Sequence, residues 1–271
     1  MNKGKTTEKH HWWPECISKF WADTECGVFR LTPDGNTRRA RPHSFGNIGN
    51  GHNIKLGDNP AISGPWDQNF ENEFGVADSA FPHVIDWLDN LDRCGPPFER
   101  AIADRILRQE ATDEQFNLMI ECIVSLAVRS PMHREGAVAL AEDMRGELPE
   151  RERNQLIGLN MRHSQRNTVT RIGGRGKAMV IFSPEREFIF GDGFFHNIHA
   201  PGQHIMHPEM LVPLTPWFAV LFVQPMMYRA DPRLVTFVAS AAETDALNFA
   251  VQVYAGREIE DQRAIGTPFV G

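Results

Sequence analysis

Cysteine is sparse in this chain of 271 residues. It has four, Cys16, Cys26, Cys94 and Cys122, widely scattered and without a C-x-x-C pair. No basic stretch followed by an apolar one opens the sequence, so the expectation is a reduced, cytoplasmic protein. Long hydrophobic runs are missing as well. The two longest, 116–128 and 211–225, are broken by Asn117, Glu121 and Ser125 and by Pro213, Thr215 and Pro216. Both fall short of the roughly 20 residues needed to cross a bilayer, so they read as core elements and no membrane partner is expected. Bulk positive charge is also lacking: a net charge of −7 and a pI near 5.9 argue against a protein that coats nucleic acid or anionic membrane by charge alone. There is no G-x-x-x-x-G-K-[ST], no G-x-G-x-x-G after a strand, no G-x-S-x-G and no H-E-x-x-H. Nucleotide-cofactor, serine-hydrolase and zincin readings lose their footing with them.

What is present supports a real core, with 41% of residues hydrophobic. Residues 26–31 alternate apolar and polar and meet the turn sequence Pro33-Asp34-Gly35-Asn36. They predict a hairpin whose second arm, 37–45, is an arginine-rich edge strand interrupted by Pro42. The Gly, Asn and Pro content of 45–65 predicts a long loop. Apolar residues from Phe70 to Leu91 recur at helical spacing, and Ser79 and Pro82 predict a break into two helices. Four further helices are expected over 98–109, 112–129, 132–146 and 149–170. The second opens on a Thr112 N-cap and is apolar nearly all round, which places it centrally. After Gly173-Gly174-Arg175-Gly176 the texture becomes short and β-branched or aromatic: strands at 179–182, 188–190, 210–212 and 217–223, then a helix over 243–257. The order predicts one α+β domain over 1–271: an N-terminal hairpin and loop (1–66), a helical block (67–172), and a mostly antiparallel sheet closed by a helix (173–271).

Four polar clusters could carry chemistry. Lys9-His10-His11-Trp12-Trp13-Pro14 sets two adjacent imidazoles beside indoles that can shield them from water, so either histidine could serve as general base or metal ligand, or as part of a partly exposed arm. Glu71 and Asp78 are seven residues apart, which on a continuous helix is about 10 Å, too wide for a shared proton. Asp192 follows an apolar strand and precedes His196, His199, His204 and His207. An acid so placed can look into a cleft, whereas the histidines lack an i,i+4 pair and read as loop residues. Between Arg151 and Lys177 there are six arginines and one lysine against Glu152 alone. Asn160, His163, Asn167 and Arg171 step along one helical face there, able to hold phosphates or to pack against the acidic block 67–92. The H-H-x-x-P start also resembles the first strand of HNH-type nucleases, but no matching Asn and second helical histidine follow.

The order of these clusters is similar to that of a bacterial family, domain of unknown function 4238. The residues carrying the resemblance are Lys9-His10-His11-x-x-Pro14 with Phe20 and Asp23, Glu71 and Asp78, and Arg129-Ser130-Pro131. They continue through the 188–192 strand end, Val212-Pro213-Leu214-Thr215-Pro216 and Leu247-Asn248. The chain departs from the pattern at Trp12-Trp13 and at Gly191-Asp192-Gly193, where the family carries a tyrosine with an aliphatic residue and Ser-Asp-Asn-Pro. The resemblance implies that these residues share a site and supplies almost no biochemistry.

The expectation from all this is a hydrolase acting on a phosphodiester, RNA or DNA. His10 or His11 is general base, Asp192 orients it or binds a divalent metal, Arg129 stabilises charge developing on phosphate, and Asn248 positions substrate. The alternative is a non-catalytic binding or regulatory module, in which the His-Trp corner is structural and the basic helix grips a partner or a small anion. A host-defence or toxin-like role is compatible with either.

Overall fold

The computed structural model describes residues 9–31, 36–44, 46–49, 53–54, 68–69, 71–191, 193, 195, 209–224 and 231–256. It is a mixed α+β fold whose five-stranded sheet draws four of its strands from the C-terminal half. In chain order the elements begin with β1 (Lys9–His11), α1 (Glu15–Ser18), β2 (Val28–Leu31), β3 (Thr37–Ala40), β4 (Asn47–Gly49), β5 (Asn53–Ile54) and β6 (Gln68–Asn69). Then come α2 (Gly75–Asp89), β7 (Ile106–Gln109), α3 (Asp113–Arg129), α4 (Pro131–Arg145) and α5 (Glu150–Arg175). The chain closes with β8 (Lys177–Phe182), β9 (Glu209–Thr215), β10 (Phe218–Val223), β11 (Leu234–Val238) and α6 (Ala241–Gly256).

Local chemistry accounts for the helix boundaries. Thr112 Oγ1 accepts from the Gln115 backbone N–H while the Gln115 side chain accepts from that of Thr112, a reciprocal cap that opens α3. Ser130 caps α4 through the His133 N–H, with Pro131 in the first helical position where its missing N–H costs nothing. α5 runs further than expected, to Arg175, and stops at Gly176, where an added Cβ would lie 2.6 Å from the Phe222 ring.

The sheet order is β7-β11-β8-β10-β9, antiparallel except for the β11–β8 pair. Alternation along β8 sends Ala178, Val180 and Phe182 into the core shared with α2, α3 and α5, and Ile181 to the opposite face. That opposite face packs against α6 through Val251 and Leu247. The layers are therefore helices, sheet, and one closing helix, and α3 is buried along almost its whole length as the central element.

Four expectations need correction. The helix expected over 98–109 is a 3-10 turn (Ile102–Arg105) followed by β7. Ile102 is exposed, so the helical spacing of the apolar residues there is not a buried face, and the backbone of 106–109 instead pairs with the edge of β11. The break expected near Ser79 and Pro82 is absent, because α2 is continuous with Pro82 exposed on its outer side. Burial of Ala77, Phe81, Val84, Ile85 and Leu88 on the inner side outweighs the one backbone hydrogen bond that proline forfeits. The stretch 45–65 is not all loop: β4 pairs with β1, and β5 pairs with β6. Finally, 188–190 is an extended segment and not a full strand. It is tied to the sheet by the Phe188 N–H, which donates to the Pro216 carbonyl at 2.7 Å, and β11 was not anticipated at all. The β2–β3 hairpin forms as expected, but its second arm ends at Ala40 and Pro42–Ser44 turn into a 3-10 segment; residues 32–35 lie outside the described residues.

Candidate functional site

The amino-terminal arm is drawn back onto the sheet by its aromatic residues. β1 pairs antiparallel with β4, setting His10 opposite Ile48 and His11 opposite Asn47. The backbone N–H groups of Trp12 and Trp13 then both donate to the Gly46 carbonyl, at 2.8 and 3.1 Å. Gly46 sits at φ +72°, and an added Cβ would come within 2.9 Å of the Trp13 carbonyl oxygen, so only glycine fits this approach. Trp13 is fully buried and stacks on Phe190, ring centroids 4.5 Å apart and planes 7° from parallel. Trp21 packs on the same ring and its indole N–H donates to the Phe188 carbonyl at 2.6 Å. His10 is buried in this corner.

Next to it, Arg129 at the end of α3 meets Asp78 of α2. The guanidinium donates to both carboxylate oxygens, at 2.8 and 3.1 Å, and to the Ser125 carbonyl and hydroxyl, at 3.1 and 3.2 Å. A longer contact of 3.5 Å reaches the His11 carbonyl, and the Phe74 ring lies under the cation at 4.9 Å. Arg129 is 1% exposed, whereas the Asp78 side chain keeps 39%. The five N–H groups of the guanidinium are thus all directed at protein acceptors. On the far side of the 188–190 segment, Asn248 of α6 accepts from the Ile189 N–H at 3.0 Å and donates to the Glu187 carbonyl at 2.8 Å, pinning the residues that lead to Asp192.

Of the residues scattered through the sequence, Arg129 touches Asp78 and the His11 carbonyl, whereas Asn248 bonds the Ile189 and Glu187 backbone on the other side of the 188–190 segment. Asp192, His196, His199, His204 and His207 lie outside the described residues. Glu71 does not share a helix with Asp78; it lies in the 3-10 turn Glu71–Phe74 before α2. Of the groups that could still act chemically, the His11 Nδ1 is buried and without a hydrogen-bond partner among the described residues. Two thiols stand nearby. Burial raises the pKa of Cys16, with the Asp78 charge adding to it, and burial pushes Cys122 up to about 12. Among the described residues no three His, Cys, Asp or Glu side chains gather as a metal ion would require.

The expected polar face of α5 is split. Asn160 is buried and turns toward α4, donating to the Ala137 carbonyl at 2.6 Å; His163 and Asn167 are exposed and bonded to each other at 2.6 Å; Arg171 is exposed. Several of the arginines of this helix are met by acids. Arg162 and Arg166 reach Glu73 at 3.4 and 2.7 Å, and Arg153 pairs with Glu135 and Glu142. The Glu73 contacts are packing against the acidic block 67–92, the alternative to phosphate binding, whereas Glu135 and Glu142 belong to α4.

A second feature was not foreseen. An apolar cleft of about 400 Å³ opens between α1 with the turn after it, the flank of α2 carrying Pro82, Ile85, Asp86 and Asp89, and the β9–β10 turn. Ile85 and Phe218 form buried walls, and Phe20 and Trp217 stand at its edge, 45% and 51% exposed. The signal available in sequence was a tryptophan in the two-residue turn Pro216-Trp217 between two apolar strands, a place where turn residues and not indoles are expected. No helix among the described residues is long and apolar enough to cross a membrane. Comparison with family models, with curated proteins and with solved structures finds no match for this chain.

Proposed function

We propose that the chain is a non-catalytic binding module whose His-Trp corner and Arg129–Asp78 pair are architectural, and whose ligand enters the cleft beside Trp217. The observation that carries this reading is the state of Arg129. With its N–H groups directed at Asp78, Ser125 and His11, it has no donor left for a phosphate, and a substrate would have to break a buried ion pair to reach it. Asn248 is similarly committed to the backbone of 187–189. A concave apolar site with a few polar groups at its rim is the usual form of a small-ligand pocket. The resemblance to domain of unknown function 4238 belongs to the same proposal, since the residues that carry it account for the corner. The test is incubation of the purified protein with labelled RNA and DNA in Mg²⁺, Mn²⁺ or Zn²⁺. Both substrates should remain intact, and His11→Ala should alter stability alone. Metal-dependent cleavage abolished by His11→Ala, with an unchanged unfolding curve, would overturn the reading.

That overturning result defines the second reading, a phosphodiester hydrolase acting on RNA or DNA with a divalent metal. The unpartnered Nδ1 of His11 favours it, because a general base needs a free ring nitrogen. In that case Arg129 and Asn248 are positioning residues, acting through Asp78 and through the segment before Asp192.

A further inference from the structure

We infer that the cleft between α1, α2 and the β9–β10 turn takes a small organic cation, an aromatic or alkyl body bearing a quaternary ammonium or guanidinium group. The inference rests on the binding-module reading and names its ligand class. Three ionised side chains line the cleft, Lys19, Asp86 and Asp89. Lys19 has an ion-pair partner in Glu15 at 3.4 Å and Asp89 one in Arg93 at 3.5 Å. Among the described residues the exposed Asp86 carboxylate has no ion-pair partner, and the lining carries one net negative charge whether or not the pair partners are counted.

The aromatic residues complete the match. Two exposed rings at the edge of one cleft leave apolar area in water unless something covers it, and an indole attracts a cation over its face more strongly than any other side chain. Trp217 is held ready by its turn. Thr215 Oγ1 accepts from the N–H groups of Trp217 and Phe218, at 3.2 and 3.1 Å, and the Trp217 carbonyl accepts from the Ser183 N–H at 2.8 Å. With this backbone already fixed, binding orders little that was free beforehand. Ile85 and Phe218 offer the apolar body a dry wall, and Asp86 lies on the same lining to neutralise the charged group.

The experiment is calorimetric titration of the full chain with benzyltrimethylammonium, benzyl alcohol and phenylacetate at one ionic strength. The wild type is compared with Trp217→Ala, Trp217→Phe and Asp86→Asn. All three substitutions are at exposed side chains, so the fold should survive them. The cation is expected to bind about tenfold more tightly than phenylacetate. Trp217→Ala and Asp86→Asn should each weaken it by about fivefold, and Trp217→Phe by less. Equal affinity for the three probes, or wild-type affinity in both Trp217→Ala and Asp86→Asn, would overturn the cationic ligand class while leaving a binding cleft. Absence of binding by all three probes would remove the cleft as a ligand site, and the binding-module reading with it.

Discussion

Trp13 lies flat on Phe190, centroids 4.5 Å apart and planes 7° from parallel, and this contact joins the amino-terminal arm to the segment that leads to Asp192. Trp13→Ala removes a fully buried indole and should cost about 3–5 kcal/mol in urea unfolding. A double-mutant cycle with Phe190→Ala should return a coupling of about 1 kcal/mol, the part specific to the stacked rings. Additive costs would mean that the arm is held by area burial alone.

The Arg129–Asp78 pair should behave as a buried one. Asp78→Asn strands a cation that is 1% exposed, and its expected cost is on the order of 3 kcal/mol. Glu152→Gln, at the solvent-exposed pair with Arg145, should cost about 1 kcal/mol or less. Chemical denaturation of the two variants in parallel checks the ranking; similar costs would place Arg129 in contact with water.

Glu243 provides the pH dependence. Hydrogen bonds from the Arg105 guanidinium, at 2.6 and 2.8 Å, hold its carboxyl at about 2, below the ordinary value of 4.5. A depressed folded-state value stabilises the protein above the unfolded value. The contribution should therefore be complete above about pH 4.5 and be lost as the pH falls from there toward 2. Glu243→Gln should be less stable than wild type at pH 7, and the gap should close across that window. A gap independent of pH would show that the pair does not act through this carboxylate.

Thiol reactivity reports the packing around Asp78. Only the thiolate attacks, and burial holds Cys122 at about 12, so at pH 8 it should stay unmodified in the folded protein while the exposed Cys26 is labelled first. Mass spectrometry after limited labelling checks the order; early modification of Cys122 would mean that α2 and α3 open readily.

Much of the helical architecture was legible because its causes are local. Thr112 with Gln115 and the near-continuous apolar character of 116–128 act within a few residues of one another. The misread elements are those where local pattern and distant pairing compete. Residues 106–109 have helical spacing behind them but find their hydrogen bonds on β11, and Pro82 interrupts a pattern that core burial restores. That His11, Asp78 and Arg129 would lie together was implied by the family resemblance alone, since nothing in their spacing brings them together. Which of these residues and Asn248 would still be free to touch a ligand could not be read, because that depends on backbone and hydroxyl partners at Ser125, Glu187 and Ile189 that carry no signature.

By itself the sequence determined the α+β composition, the cap of α3, the charge balance and the presence of an aromatic, histidine-bearing arm, all consequences of composition and short-range spacing. Only the tertiary structure decided that Arg129 and Asn248 serve the protein's own chain and that Phe20, Asp86 and Trp217 border one cleft. A guanidinium, an amide or an exposed ring is defined chemically by its residue type. What it binds is set by which remote groups the folded backbone brings within about 3 Å of it.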